Sequence, residues 1–207
     1  MDEREAEILG DDRGYCWFRA KDELIKSLVD TKEFTINIGA GVHDYDYAIN
    51  YRGLANNIPY LTNLFDTAIL GDVIEHIPPK ERLESLVETS RVLKPGGKLI
   101  VTVPAGQWLY NSHDEFLGHY CRYDKKSLRQ EVESAGFKTS NIRYWNSLLY
   151  IPFVVHKLFN KNKKPQSDFM KLPPLLNTAI YKTLKLEERI NGFPLGITLV
   201  GEFENAP

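Results

Sequence analysis

Three short apolar runs, rich in β-branched and aromatic residues, constrain this chain most: "FTINI" (34–38), "FDTAILG" (65–71) and "KLIVTVP" (98–104). Runs of this length and composition, bounded by glycine and proline, read as buried β-strands. Between the second and third, Pro78 and Pro79 open a stretch predicted to be helical to about Arg91, because proline is tolerated in a first helical turn. Strand, helix and strand in succession imply parallel pairing and a sheet covered on both faces. Ligands of such sheets bind beyond the carboxyl ends of the strands. Three stretches therefore become neighbours: the loop after "FTINI", the residues after "FDTAIL", and the loop after "LIVTVP".

The flanks extend the same α/β pattern. Trp17, Leu24 and Leu28 recur at helical spacing between Tyr15 and Asp30. Asp124 is placed to cap "KKSLRQEVESAGF", with Gly136 as its stop, and "KTSNIRYWN" follows as a strand. An apolar helix "SLLYIPFVVHKLF" (147–159), a linker over 160–166, an amphipathic helix "LLNTAIYKTLKLEERI" and a closing strand "GITLVGEFE" complete the chain. No repeat or low-complexity segment interrupts it. Residues 1–207 are therefore expected to form one domain, with 147–192 a helical lid or acceptor-side decoration. The apolar helix falls short of the roughly 20 residues that span a bilayer. It reads as a buried or lid helix, and Lys157, Lys161, Lys163 and Lys164 beyond it keep open a resting place on a membrane surface or over a greasy substrate.

A net charge of −2 and a pI near 6.2 give no electrostatic bias toward nucleic acid. Two cysteines, Cys16 and Cys121, make neither a disulfide framework nor a metal site by themselves. With no secretory leader read at the start, the expectation is a cytoplasmic protein with free thiols.

The chemistry-bearing residues fall on the three loops. "GAG" (Gly39, Ala40, Gly41) lets a turn form and a ligand approach the backbone. In "GDVIEHIPP", Asp72, Glu75 and His76 are spaced i, i+3, i+4 and would share a face if helical. Taken in order, strand-GxG, "FDTAILGDVIEHI", "RVLKPGGKLIVTVPA" and "HDEFLGHYCRYDKKSLRQEVESAGFK" resemble the class I S-adenosylmethionine-dependent methyltransferases, in particular the type 11/12 group. That resemblance implies a Rossmann-like, doubly wound, mostly parallel sheet with an antiparallel C-terminal strand.

It also implies roles. Gly39, Ala40 and Gly41 would lie under the amino-acid end of S-adenosylmethionine, and Gly71, Asp72, Val73 and His76 along its sulfonium side. His113, Asp114, His119, Arg122 and Tyr123 would face the acceptor, with His113 or His119 as base and Asp114 orienting the ring. The expected site holds no metal. In some hydroxyl-methylating relatives, however, a similar acid-x-x-Glu-His segment binds a divalent ion, which makes Asp72, Glu75 and His76 worth testing.

One block departs from the pattern. Only 42–64 separate the glycine loop from "FDTAIL", where two βαβ units of about 30 residues each would be needed. The sheet is thus expected to be truncated between its first and fourth strands. "YDYAINY" reads either as the second strand or as the first helix. As a strand, its end offers Asn50 for the ribose in place of a carboxylate. Two functions follow: a methyltransferase acting on a small-molecule or lipid/glycan-type acceptor, at oxygen; or a methyltransferase-fold subunit that has lost the cofactor and serves as a scaffold. A homo-oligomer or a partner chain covering the sheet edge belongs with the second.

Overall fold

The computed structural model describes residues 16–41, 44–159, 173–188, 190 and 193–206. The predicted linker over 160–166 lies outside them. Helix α1 (Cys16–Leu28) leads into β1 (Thr35–Ile38), β2 (Ile49–Tyr51) and β3 (Phe65–Gly71). A single 3-10 turn (Ile74–His76) precedes α2 (Pro79–Val92) and β4 (Leu93–Pro104). After a second 3-10 turn (Gln107–Leu109) come α3 (Ser112–Phe116), α4 (Lys125–Ser134), β5 (Phe137–Trp145), α5 (Tyr150–Phe159), α6 (Pro174–Glu187) and β6 (Thr198–Asn205).

Among the described residues six strands form one sheet in the order β2-β1-β3-β4-β6-β5. The first four are parallel, and β6 runs antiparallel to both β4 and β5. Because strand side chains alternate between faces, the apolar runs divide in two. Ile36, Ile38, Ala68, Leu70, Leu99, Val101 and Val103 pack on one face with Leu86 of α2 and Leu128 and Val132 of α4. Ile69 and Ile100 turn to the other face and meet Ile25 of α1, while Val200 meets Leu24 of α1 and Leu184 of α6. Each such buried aliphatic contributes about 2 kcal/mol of transfer free energy. The doubly wound arrangement follows from this two-sided hydrophobicity.

The capping predictions hold. Asp124 Oδ1 accepts the backbone N–H of Lys126 and of Ser127, and Ser127 Oγ accepts the Asp124 N–H in return, which completes a capping box. Gly136 follows α4 at φ +93°, the left-handed conformation that ends a helix. β4 begins five residues before the predicted run 98–104, and "KPGG" bulges within it: Phe65 pairs with Leu93, and Thr67 with Lys98.

The short block between β1 and β3 holds one three-residue strand and no helix among its described residues. "YDYAINY" contributes that strand, with Asn37 opposite Asn50. The preceding residues do the packing a helix would otherwise do. Tyr45 and Tyr47 stack with ring centroids 5.3 Å apart, and Tyr45 lies buried against the cluster of Ile25, Val29, Ile69 and Ile100. No described helix is long and apolar enough to cross a membrane. Cys16 and Cys121 are both free thiols.

Candidate active site

The carboxyl ends of β1, β3 and β4 converge as the parallel sheet requires. After β1, Gly39 and Gly41 adopt φ +70° and +53°. A Cβ on Gly39 would lie 2.9 Å from Cγ2 of Val73, so glycine is demanded there by conformation and by contact. The amides of Gly39 and Ala40 donate to the carbonyl of Tyr51 at 2.9 and 3.1 Å, and Gly41 O accepts from Arg52 Nε. The loop is thereby tied to the end of β2.

After β3, Asp72 stands at φ +53°, a region that Asp tolerates better than most side chains. Its carboxylate accepts from Lys21 Nζ at 2.6 Å and from Thr102 Oγ1 at 2.9 Å. Burial opposes its ionisation, but the charge and hydrogen bond of Lys21 outweigh it and hold the carboxyl below the ordinary range. The Lys21 ammonium sits 4.3 Å from the Trp17 ring centroid and is nearly inaccessible to water. A buried, opposite-charge pair beside a glycine turn is complementary to a zwitterionic amino-acid group.

The 3-10 turn then separates Asp72 from the two residues predicted to share its face. Glu75 is fully buried and His76 half-buried. Burial first, and the neighbouring His119 second, push His76 down to about 4, so its ring is neutral near pH 7. The His119 ring lies edge-on to His76, with centroids 4.6 Å apart.

The segment after β4 brings His119 there. Ala105 pairs with Tyr123, and Gly106 N donates to Tyr123 O, closing the segment into a loop. Inside it Asp114 is wholly buried: Oδ2 accepts Asn111 N at 3.0 Å, and Oδ1 accepts Arg122 Nε at 2.7 Å and faces His119 Nδ1 at 3.2 Å. Tyr110 Oη donates to His119 O, and Tyr120 N donates to Glu75 O. The loop is thus hung on the turn after β3. Glu75, His76 and His119 each bring a ligand-type atom within 4.8 Å of the others.

Of the predicted residues, the structure brings together Gly71, Asp72, Val73, His76, Asp114 and His119, with Gly39 against Val73. His113 supplies its backbone N–H to the cap of α3 and is not in the Glu75–His76–His119 group. Asn50 is occupied within the chain: Oδ1 accepts from Asn37 Nδ2 and Tyr45 N, and Nδ2 donates to Tyr45 O and Ala48 O. Tyr51 Oη likewise bonds Leu54 O and Asn57 O. Sequence reasoning missed Lys21. The signal was a lysine four residues after Trp17 and four before Ile25, on the apolar stripe of α1.

The segment after β4 and the start of α5 carry exposed apolar side chains. Trp108 is 61% exposed and meets the Tyr150 ring of α5 edge-on, and Ile151 is 72% exposed. Glu187 fixes the entry to α5 by accepting the amides of Ser147 and Leu148.

Residues 36–101 match the methyltransferase domain family. No curated protein matches the chain in sequence. Among solved structures, a SAM-dependent methyltransferase from Thermotoga maritima superposes with a TM-score of 0.59 at 17% identity, over 98% of this chain and 94% of that one. The methyltransferase chain of a complex with the Trm112 methyltransferase activator of Haloferax volcanii gives 0.58 at 14% identity, over 98% and 94%. The Burkholderia thailandensis 1,6-didemethyltoxoflavin-N1-methyltransferase, solved with S-adenosylhomocysteine bound, gives 0.51 at 10% identity, over 84% and 72%. Over residues 36–101 the chain thus matches the methyltransferase domain family, and its fold is that of S-adenosylmethionine-dependent methyltransferases of known structure.

Proposed function

We propose that this protein methylates a hydroxyl oxygen of a small-molecule or lipid- or glycan-type acceptor in the cytoplasm. The observation that carries the reading is the Asp114–His119 contact at the carboxyl ends of β3 and β4, facing His76. Bound S-adenosylmethionine supplies an electrophilic methyl group on sulfur. Lys21 and Asp72 would hold its carboxylate and ammonium, Gly39 to Gly41 would leave room for its chain, and Gly71 and Val73 would line the sulfonium side. A hydroxyl is a poor nucleophile until its proton is leaving. Asp114 fixes the His119 ring by its Nδ1, which leaves Nε2 to take that proton. Alignment of acceptor and methyl supplies most of the acceleration, up to roughly 7–11 kcal/mol in well-oriented systems. The exposed Trp108 and Ile151 favour an acceptor with an apolar part, presented in solution or from a membrane surface.

Formation of S-adenosylhomocysteine, followed with hydroxylated small molecules, lipids and glycans, tests this. His119→Ala should lower turnover by about 10²-fold or more while leaving cofactor affinity intact. Equal turnover by wild type and His119→Ala would refute the role of His119.

One observation favours a second reading. The groups at the end of β2 are bonded within the chain, and β2 is a three-residue edge strand. A scaffold that has given up the cofactor, paired along that edge with a second copy or a partner chain, fits both facts. Failure to bind S-adenosylhomocysteine at millimolar concentration would select it.

A further inference from the structure

We infer that the outer faces of α5 and α6 form a docking surface for a lipid membrane with anionic headgroups. Both helices are held from within: Leu149, just before α5, and Ile180, Tyr181 and Leu184 of α6 pack into one cluster with Ala20, Leu24 and Trp145. Their outer faces therefore turn to solvent on the same side of the sheet. Along α5 and the turn before it, Leu148, Ile151 and Val155 are exposed at i, i+3, i+7 spacing, which is one side of a helix. On α6, Leu175 and Leu186 are exposed about three helical turns apart, so they too share a side. Glu187 joins the two helices where Leu186 and Leu148 stand, by accepting the amides of Ser147 and Leu148. A surface helix ordinarily carries polar residues outward, and neighbouring aliphatic side chains exposed on two elements mark an interaction surface.

Charge identifies the occupant. From Ser147 to Lys182 the sequence holds six lysines, Lys157, Lys161, Lys163, Lys164, Lys171 and Lys182, and one acid, Asp168. The whole chain is net −2, so this is a basic stretch in an acidic protein. Lys182 is exposed on α6 between Leu175 and Leu186. The stretch 160–172, outside the described residues, supplies four more lysines and is tied at one end to α5 and at the other to α6. The next acids are already engaged, Glu187 on the amides before α5 and Glu188 on Lys185. Aliphatic side chains among lysines suit an anionic interface: hydrocarbon enters the acyl boundary while ammonium groups meet lipid phosphates. Trp108, exposed and edge-on to Tyr150, borders the face with a ring suited to the headgroup level. A second copy fits poorly, because a two-fold contact sets each basic stretch against its own like. A protein partner fits poorly too: such interfaces concentrate arginine and aromatic residues and deplete lysine.

Docking is independent of methyl transfer, and no described helix is long and apolar enough to cross the bilayer, so the face rests on its surface. Each lysine that reaches an anionic surface raises partitioning by about fivefold. That gain shrinks as salt shortens the Debye length. Ile151 and Leu175, 72% and 88% exposed, carry the apolar share without belonging to the core.

The test is co-sedimentation of the full-length protein with vesicles of phosphatidylcholine alone and of phosphatidylcholine mixed with phosphatidylglycerol. The protein should bind the mixed vesicles, bind the neutral ones about tenfold more weakly or less, and leave the mixed ones as salt approaches about 1 M. Ile151→Ser combined with Leu175→Ser should weaken binding to mixed vesicles by about tenfold or more at a wild-type urea midpoint. Lys182→Glu should weaken it by about fivefold or more. Lys80→Glu, the same charge change on α2 across the sheet, should leave it unchanged. No binding to mixed vesicles, equal binding to neutral ones, binding that survives the double serine variant, or equal losses in Lys182→Glu and Lys80→Glu overturns the inference. A dimer that the double serine variant disperses, in protein that ignores vesicles, overturns it in favour of a second copy. The methyl-transfer reading fails separately, by absence of S-adenosylhomocysteine binding in protein that still docks.

Discussion

Replacing Lys21 with Met tests the electrostatic design of the proposed cofactor end. Methionine keeps a flexible apolar stem against Trp17 and Phe18 but removes the ammonium 2.6 Å from Asp72. At an effective dielectric near 20, two charges this close attract by about 6 kcal/mol before desolvation is subtracted. Breaking a fully buried pair typically costs 3–5 kcal/mol. The Asp72 side chain keeps 22% of its surface exposed and retains the Thr102 bond. The expected loss is therefore smaller, about 2 kcal/mol at neutral pH. With an m value near 2 kcal/mol/M, the urea midpoint should fall by about 1 M. The pH dependence gives the sign. In the wild type the carboxyl is held below its usual value, so its stabilisation is fully present above the ordinary carboxylate range and is lost as pH falls through the lowered folded value. In Lys21→Met the Thr102 bond remains but the largest opposition to burial is gone, so the acid limb of the stability profile should move to higher pH. An unchanged midpoint together with an unchanged acid limb would refute the reasoning.

Other perturbations probe the geometry around that pair. Gly39→Ala should cost about 1–2 kcal/mol for the left-handed backbone alone. Contact with Val73 should add to this, and thermal melts with and without S-adenosylhomocysteine would show whether the cofactor end is disturbed too. Glu187→Gln removes the charge that accepts the amides of Ser147 and Leu148, and should cost about 1–2 kcal/mol locally. Faster hydrogen exchange over 147–159, with the sheet unaffected, would confirm that Glu187 pins the start of α5. Asn205→Ala should destabilise by about 2 kcal/mol, because Nδ2 donates to the carbonyls of Ser90, Leu93 and Lys94.

Much of this architecture was legible because it depends on local chemistry. Apolar runs such as "FDTAILG" specify buried strands, and the glycines and caps at Gly39, Asp124 and Gly136 need only neighbouring backbone. The shortage of chain between β1 and β3 was also visible, since a βαβ unit has a minimum length. The rest depended on contacts between distant segments. Lys21 looked like any charged residue of an amphipathic helix until Asp72 closed on it from 51 positions away. Asn50 reads as a ligand for a ribose, and the sequence does not show that its amide holds the turn from Tyr45 to Ala48. Helical spacing suggested one face for Asp72, Glu75 and His76. The left-handed residue at Asp72 and the tight turn after it separate the first from the other two, and the loop after β4 puts His119 in its place.

The central claim is that the methionine end of the pocket is built to hold S-adenosylmethionine although the adenosine end is short. Calorimetric titration of the full chain with S-adenosylhomocysteine, in parallel with Lys21→Met, measures this most directly. The account predicts saturable one-to-one binding that is weakened by about tenfold or more when the Lys21 charge is lost, a difference of about 1.4 kcal/mol. No heat at millimolar ligand, or equal affinity in both proteins, would contradict it.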